Sequence, residues 1–176
     1  SDLAQQQLLR GELGPERLAA ISDGARQTLD HMRDVIWLLV PRASNWSELS
    51  HRLQSISSRI LDGVKHEIVV EGEPPEGKPA IEWSRNVVTF LKEVLTNARR
   101  HSEAENIRVS FDWGETLVLE VEDNGRGFDT VASRDTSGTG LENLEQRAAL
   151  LRASLDIRSG PGEGTTVRLS VPFSKG

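Results

Sequence analysis

Three groups of residues in this chain have the types and spacing to hold a phosphorylated ligand. The first is Glu93, Asn97 and His101, at i, i+4 and i+8. On a helix this spacing sets all three along one side, drifting by about 40° per step. An Asn carboxamide oxygen beside a carboxylate is a hard-oxygen setting suited to Mg²⁺ that also holds phosphates. The competing reading is a polar, solvated helix face. The second group is Asp123-Asn124-Gly125-Arg126-Gly127-Phe128, an acidic residue at a strand end followed by a glycine-rich turn. Its carboxylate can accept a hydrogen bond from an exocyclic amine, although an Asp-Asn-Gly turn is common on any surface. The third is Gly138-Thr139-Gly140-Leu141, opening a helical pattern. Glycines there permit φ > 0 and close approach of a ligand to the backbone. A helix starting just after them offers free N–H groups and a positive dipole end to phosphates. A further pair, Gly162-Glu163-Gly164, follows near the end. One such glycine pair is weak evidence, whereas the ordered set reads as a nucleotide-binding domain.

These residues need elements to hold them. From Ile81 to His101 the pattern is helical, with Val87, Val88, Leu91, Val94, Leu95 and Ala98 forming a wide apolar face. Alternating strands follow over 106–111 and 116–122, joined in hairpin fashion near Trp113-Gly114-Glu115. A polar spacer, 130–137, leads to a helix over about 141–151. A last strand pair, 154–158 and 165–171, flanks the turn Ser159-Gly160-Pro161-Gly162. Upstream, Ser44 or Asn45 can cap a helix burying Trp46, Leu49, Leu53, Ile56 and Ile60, which Asp62-Gly63 ends. Residues 67–71 alternate like a strand, and 72–79 are a Gly/Pro-rich loop. The sum is an α+β fold, a two-layer α/β sandwich with helices on one face of a mixed sheet.

Residues 1–43 read differently. Pro15 suits a helix start, and Leu18, Ile21, Ala25, Leu29, Met32, Ile36 and Leu39 form one narrow apolar stripe that Pro41 ends. Such a helix needs a partner, and a helical hairpin that dimerises into a four-helix bundle is the economical reading. The division expected is therefore 1–43, the C-terminal part of a helical hairpin, and 44–176, the nucleotide-binding domain.

Composition bounds the rest. At 176 residues, the chain can bury a core without disulfides or a structural metal. With no cysteine, zinc–thiolate sites and cysteine nucleophiles are excluded. A net charge of -6 argues against direct binding to a nucleic-acid backbone. No apolar run approaches the roughly 20 residues that span a bilayer, and no signal-peptide pattern opens the chain. It begins at Ser1 without a methionine and reads as a soluble, intracellular piece of something longer.

The order of motifs resembles the catalytic and ATP-binding domain of sensor histidine kinases, within the GHKL superfamily that includes gyrase, MutL and the heat-shock ATPase chaperones. Residues 92–102 resemble the N box, Asp123 to Phe128 the first glycine box, Gly138 to Leu141 the second, and 162–166 the last glycine motif. The match runs over about 44–172. The short spacer, the Ala-x-x-His-Ser ending of the N box and the helix bearing Met32-Arg33-Asp34-Val35-Ile36-Trp37 resemble the subfamily with the third, NarL-partner type of dimerisation domain.

By that resemblance, the cofactors are ATP and Mg²⁺. Asn97 would ligate Mg²⁺ bridging the phosphates, and His101, with Arg100, would contact phosphate oxygens. Asp123 would bind the adenine amine, with Gly125 and Gly127 shaping the pocket. Gly138, Thr139, Gly140 and Leu141 would bring backbone N–H groups to the phosphates, and Thr166 would support the base. Residues 129–137 would form a mobile lid. Glu93 matches the general base of the ATP-hydrolysing relatives. The γ-phosphoryl group would go to a histidine and then to an aspartate of a response regulator with a DNA-binding output domain. The parent would be a homodimeric, membrane-bound sensor, with this chain its cytoplasmic part.

The resemblance also implies a phospho-accepting histidine followed by an acidic residue on the first dimerisation helix. Of the four histidines, His31, His51 and His101 lack that follower, and His66-Glu67 opens a strand. The chain is therefore expected to bind ATP without phosphorylating itself. Two alternatives keep the fold: a nucleotide-binding regulatory module, and an ATPase acting as a conformational clamp.

Overall fold

The computed structural model describes residues 45–129 and 139–174, within a compact unit spanning Ala43–Gly176. The helical hairpin expected over 1–43, the spacer 130–137 and Gly138 lie outside the described residues. Among the described residues, eight elements run in the order α1 (Trp46–Ile60), β1 (Lys65–Gly72), α2 (Ile81–His101), β2 (Asn106–Trp113), β3 (Thr116–Asp123), α3 (Thr139–Leu150), β4 (Ser154–Gly160) and β5 (Gly164–Pro172).

Helix α1 starts where Asn45 stands in extended backbone and its side-chain oxygen accepts the Glu48 N–H at 2.8 Å. Its buried face is Trp46, Leu49, Leu53 and Ile56, joined by Ser50 and Ser57. Ser57 escapes the cost of burial by donating its hydroxyl to the Leu53 carbonyl at 2.9 Å. Helix α2 buries the apolar face expected of it and adds Trp83 and Phe90. Arg99 ties the two helices together by donating to the Ile60 carbonyl at 2.9 Å.

The five strands form one sheet in the order β1-β2-β3-β5-β4. β1 and β2 are parallel, joined by the α2 crossover; the other pairs are antiparallel. Strand alternation separates two faces. Ile107, Val109, Phe111, Leu117, Leu119, Val121, Val167 and Leu169 are buried under the helices. The opposite face carries charged pairs such as Arg168–Glu120 at 2.7 Å and Arg158–Asp156 at 2.8 Å. The result is a two-layer α/β sandwich. At one end of the core Trp46, Trp83, Trp113 and Phe173 pack edge-to-face and stacked, with Trp46 and Trp83 centroids 4.9 Å apart. Trp83 also donates its indole N–H to the Pro172 carbonyl at 2.8 Å, fastening the end of β5 to the start of α2.

Candidate functional site

At the other end of the sandwich, the helical layer and the sheet part to leave a cavity of about 90 Å³. Its wall on one side is the last two turns of α2, through Val94, Asn97, Ala98, His101 and Ser102. Val121, Asp123, Ile157, Thr165 and Val167 form the floor, and α3 closes the far side through Leu141 and Leu144. Gly127 and Phe128 complete the lining. Most of these groups are apolar, so a flat hydrophobic ligand would be held by area and oriented by the few polar groups.

The chief polar group is Asp123. It ends β3, points to the helical side with Val121, and is 6% exposed. One carboxylate oxygen accepts the Gly125 N–H at 2.9 Å. Burial pushes its carboxyl above the usual carboxylate range, against the pull of the backbone N–H bonds from Gly125 and Thr165. Such a group gains from any donor that the cavity admits. Asn97, half-buried, and His101, exposed, sit at the α2 side of the lining. Among the described residues no group of three or more His, Cys, Asp or Glu side chains could hold a metal.

Three of the described glycines also make close backbone contacts. A Cβ on Gly125 would stand 2.1 Å from the Ser102 carbonyl oxygen at the end of α2. Gly127, at φ +59, would bring one within 2.0 Å of the Gly160 carbonyl oxygen, and Gly164, at φ +76, within 2.1 Å of that of Asp123. These three glycines let backbone pack on backbone. The Arg126 N–H donates to the Ser102 carbonyl at 2.7 Å, and the Gly162 N–H to the Arg126 carbonyl at 2.6 Å. The loop after β3 is thereby clamped between the helix end and the β4–β5 turn. Asn124 adds to the clamp: its side-chain oxygen accepts the N–H groups of Glu105 and Asn106 at 3.1 and 2.9 Å. Ser102, buried, stops α2 by donating its hydroxyl to the Ala98 carbonyl and accepting the Ala104 N–H.

Of the residues singled out in the sequence, Asn97, His101, Asp123, Gly127 and Leu141 come together around the cavity. Glu93 is half-buried one turn earlier on α2 and Arg100 is exposed; neither is part of the lining. Gly125 belongs to the loop itself and packs against the helix end. Thr139 and Gly140 form the first residues of α3, at the end that carries free N–H groups. Thr166 does not reach the cavity. It pairs with Glu122 on the outer face, while Thr165, opposite Asp123, faces inward. A one-residue step on a strand exchanges faces, and the Gly-Thr-Thr run carries no mark of which threonine is which. Ser102, Phe128 and the apolar lining were also missed, because in sequence they are indistinguishable from core and turn residues.

Residues 84–175, about half of the chain, match the family model described as histidine kinase-, DNA gyrase B-, and HSP90-like ATPase. A curated relative, the signal transduction histidine-protein kinase/phosphatase DegS of Brevibacillus brevis, is 33% identical over 86 residues, 48% of this chain and 22% of that protein. Among solved structures, the blue-light activated histidine kinase of Erythrobacter litoralis is similar with a TM-score of 0.55 and 26% identity, over 73% of this chain and 42% of that one. Acinetobacter baumannii histidine kinase AdeS has a TM-score of 0.60 over 97% of this chain and 92% of that one; at 16% identity the likeness is one of fold.

Proposed function

Since the chain belongs to the histidine kinase-, DNA gyrase B-, and HSP90-like ATPase family, we propose that it is the ATP-binding catalytic portion of a sensor histidine kinase. The observation that carries this reading is the buried Asp123 carboxylate, with acceptor capacity to spare, in the lining of a mostly apolar cavity. That arrangement fits the edge of an aminopurine. Phosphates extending from it would run between Asn97 and His101 on α2 and the N-terminal end of α3, where Gly138, Thr139 and Gly140 would offer backbone N–H groups. Asn97 would hold the Mg²⁺ that travels with ATP and neutralises developing charge. Phosphoryl transfer needs little covalent help from a protein beyond positioning and charge neutralisation. Glu93 would act one turn away on the metal or phosphate environment, without contact to the base.

The phosphoryl acceptor is a histidine outside the set met in the described residues. His51 is exposed on α1, His66 sits at the start of β1 with Nδ1 2.8 Å from the Val64 carbonyl oxygen, and His101 belongs to the nucleotide site. The acceptor would come from the first helix of a dimerisation hairpin of the NarL-partner type, with residues 1–43 supplying the rest of that hairpin. Relay would follow to an aspartate of a response regulator with a DNA-binding output domain, in a homodimeric, membrane-attached parent. No helix among the described residues is itself long and apolar enough to cross a membrane. The kinship with the DegS kinase supports this reading over a regulatory module or a clamp ATPase, with 22% of that relative's length matched.

Calorimetric titration of Mg-ATP tests the site. Saturable binding is expected in the parent and its loss in Asp123→Ala; no binding in either protein sinks the ATP reading. Incubation with radiolabelled ATP and a separately supplied dimerisation domain then tests transfer, and label appearing on this chain itself would overturn the assignment of the acceptor elsewhere.

A further inference from the structure

We infer that Ser159 sets the nucleobase preference of the cavity without touching the base, by fixing which way the Thr165 hydroxyl points; the inference rests on the nucleotide reading above. Ser159 lies on β4 directly opposite Thr165 on β5, and three polar groups converge on its single hydroxyl. The Phe128 N–H lies 2.9 Å away, the Gly164 carbonyl oxygen 2.9 Å and the Thr165 hydroxyl oxygen 3.0 Å. A hydroxyl has one proton to give and two lone pairs to fill. The Phe128 N–H can only donate, so it takes one lone pair of Ser159 Oγ. The Gly164 carbonyl can only accept, so it takes the Ser159 proton. One arrangement then satisfies the third contact: Thr165 donates its proton to the remaining lone pair of Ser159.

The consequence falls on the cavity, which Thr165 lines and Ser159 does not. With its proton committed, Thr165 Oγ1 is left as an acceptor. Asp123, paired across the sheet with Thr165, is the other polar group of the floor, and its free lone pairs also accept. Two neighbouring acceptors match an amino group, which brings two protons. They oppose a carbonyl at the same position of the base, which brings none. Admitting a 6-oxo purine would require Thr165 to turn its proton inward and leave Ser159 with an empty lone pair. Ser159 is thus a positioning residue whose loss removes the penalty on the wrong base.

The test compares the affinities of the intact chain for Mg-ATP and Mg-ITP, which differ at the 6-position and the adjoining ring nitrogen. Ser159→Ala is expected to lower the ATP-to-ITP affinity ratio by about three- to tenfold, mostly through a gain for ITP. Ser159→Thr, which keeps the hydroxyl, is expected to restore the parent ratio. If Ser159→Ala weakens both nucleotides equally, the residue is scaffold alone and the inference falls. Thr165→Val gives an independent reading should Ser159→Ala fold poorly. It must weaken ATP more than ITP; an equal or larger loss for ITP would show that Thr165 donates to the base, and would also overturn the inference. A parent chain that binds neither nucleotide would instead reject the nucleotide reading, and this inference with it.

Discussion

Gly125, Gly127 and Gly162 lie within one clamp, yet each requires glycine for a different physical reason, so three alanine substitutions separate the reasons. Gly162 has φ +80, but a methyl group added there would meet nothing within 4 Å. Gly162→Ala should therefore cost only the left-handed backbone penalty, about 1 kcal/mol. Gly125 has no such φ, but its methyl would stand 2.1 Å from the Ser102 carbonyl oxygen, far inside van der Waals contact. Relief requires the loop to lift off the end of α2, which breaks the 2.7 Å bond from the Arg126 N–H to that same carbonyl. Leaving those groups poorly paired costs about 1–3 kcal/mol, and Gly125→Ala should fall there. Gly127 combines both faults: φ +59 and a carbonyl at 2.0 Å, with the Gly162 N–H to Arg126 and Phe128 N–H to Ser159 bonds at risk. Gly127→Ala should be the worst of the three, at about 3–4 kcal/mol. Urea denaturation of the three variants beside the parent measures all the values. Equal losses for Gly127→Ala and Gly162→Ala would refute the argument, since the close backbone approach would then contribute nothing.

Other consequences are checked more briefly. The raised carboxyl of Asp123 means that the folded chain keeps this proton to higher pH than the unfolded chain does. Its contribution to stability is therefore fully present at acidic pH and lost as pH rises from the ordinary carboxylate range through the raised value. Asp123→Asn should flatten that part of a stability–pH profile and be more stable than the parent near neutrality while binding Mg-ATP more weakly; a less stable variant at neutral pH would contradict the burial argument. Asn97→Ala should weaken Mg-ATP by about tenfold or more while leaving adenosine affinity within about twofold, because the metal and phosphate contacts proposed for it would lie away from the base. Titration calorimetry with both ligands separates the effects, and equal losses would move Asn97 to the base. Asn45→Ala removes the cap that holds the Glu48 N–H and should cost about 1 kcal/mol in thermal or urea unfolding.

Much of the fold was legible because its periods are clean. The apolar face of α2 and the alternation of β2 and β3 read directly as one helix and a hairpin, and the structure extends them only at their ends. The strand order was not legible: nothing in the sequence of β5 says that it inserts between β3 and β4, since that is decided by non-local pairing. Of the residues lining the cavity, Asn97, His101 and Asp123 had been singled out as polar residues at telling positions. The glycines were found for a partly different reason from the one that holds them, because the same residue suits ligand approach and backbone approach alike. Thr165 was displaced by one position onto Thr166, and Ser159 passed as a turn residue. A hydroxyl on a strand reveals its partners only once the strand across from it is known.

The insertion of β5 between β3 and β4 has a consequence for how the chain is made. Walls of the cavity on α2 and the Asp123 end of the floor emerge from the ribosome early, whereas Thr165 and Val167 come among the last described residues. A nascent chain ending before Gly164 holds β4 with no neighbour and β3 with one edge open, and lacks the contacts from Trp83 to Pro172 and from the Ala80 N–H to Ser174. Such edges invite mispairing until the last strand closes the sheet. A ligand of the cavity can therefore favour the fold only once β5 has joined the sheet, and its binding energy does not act before that step.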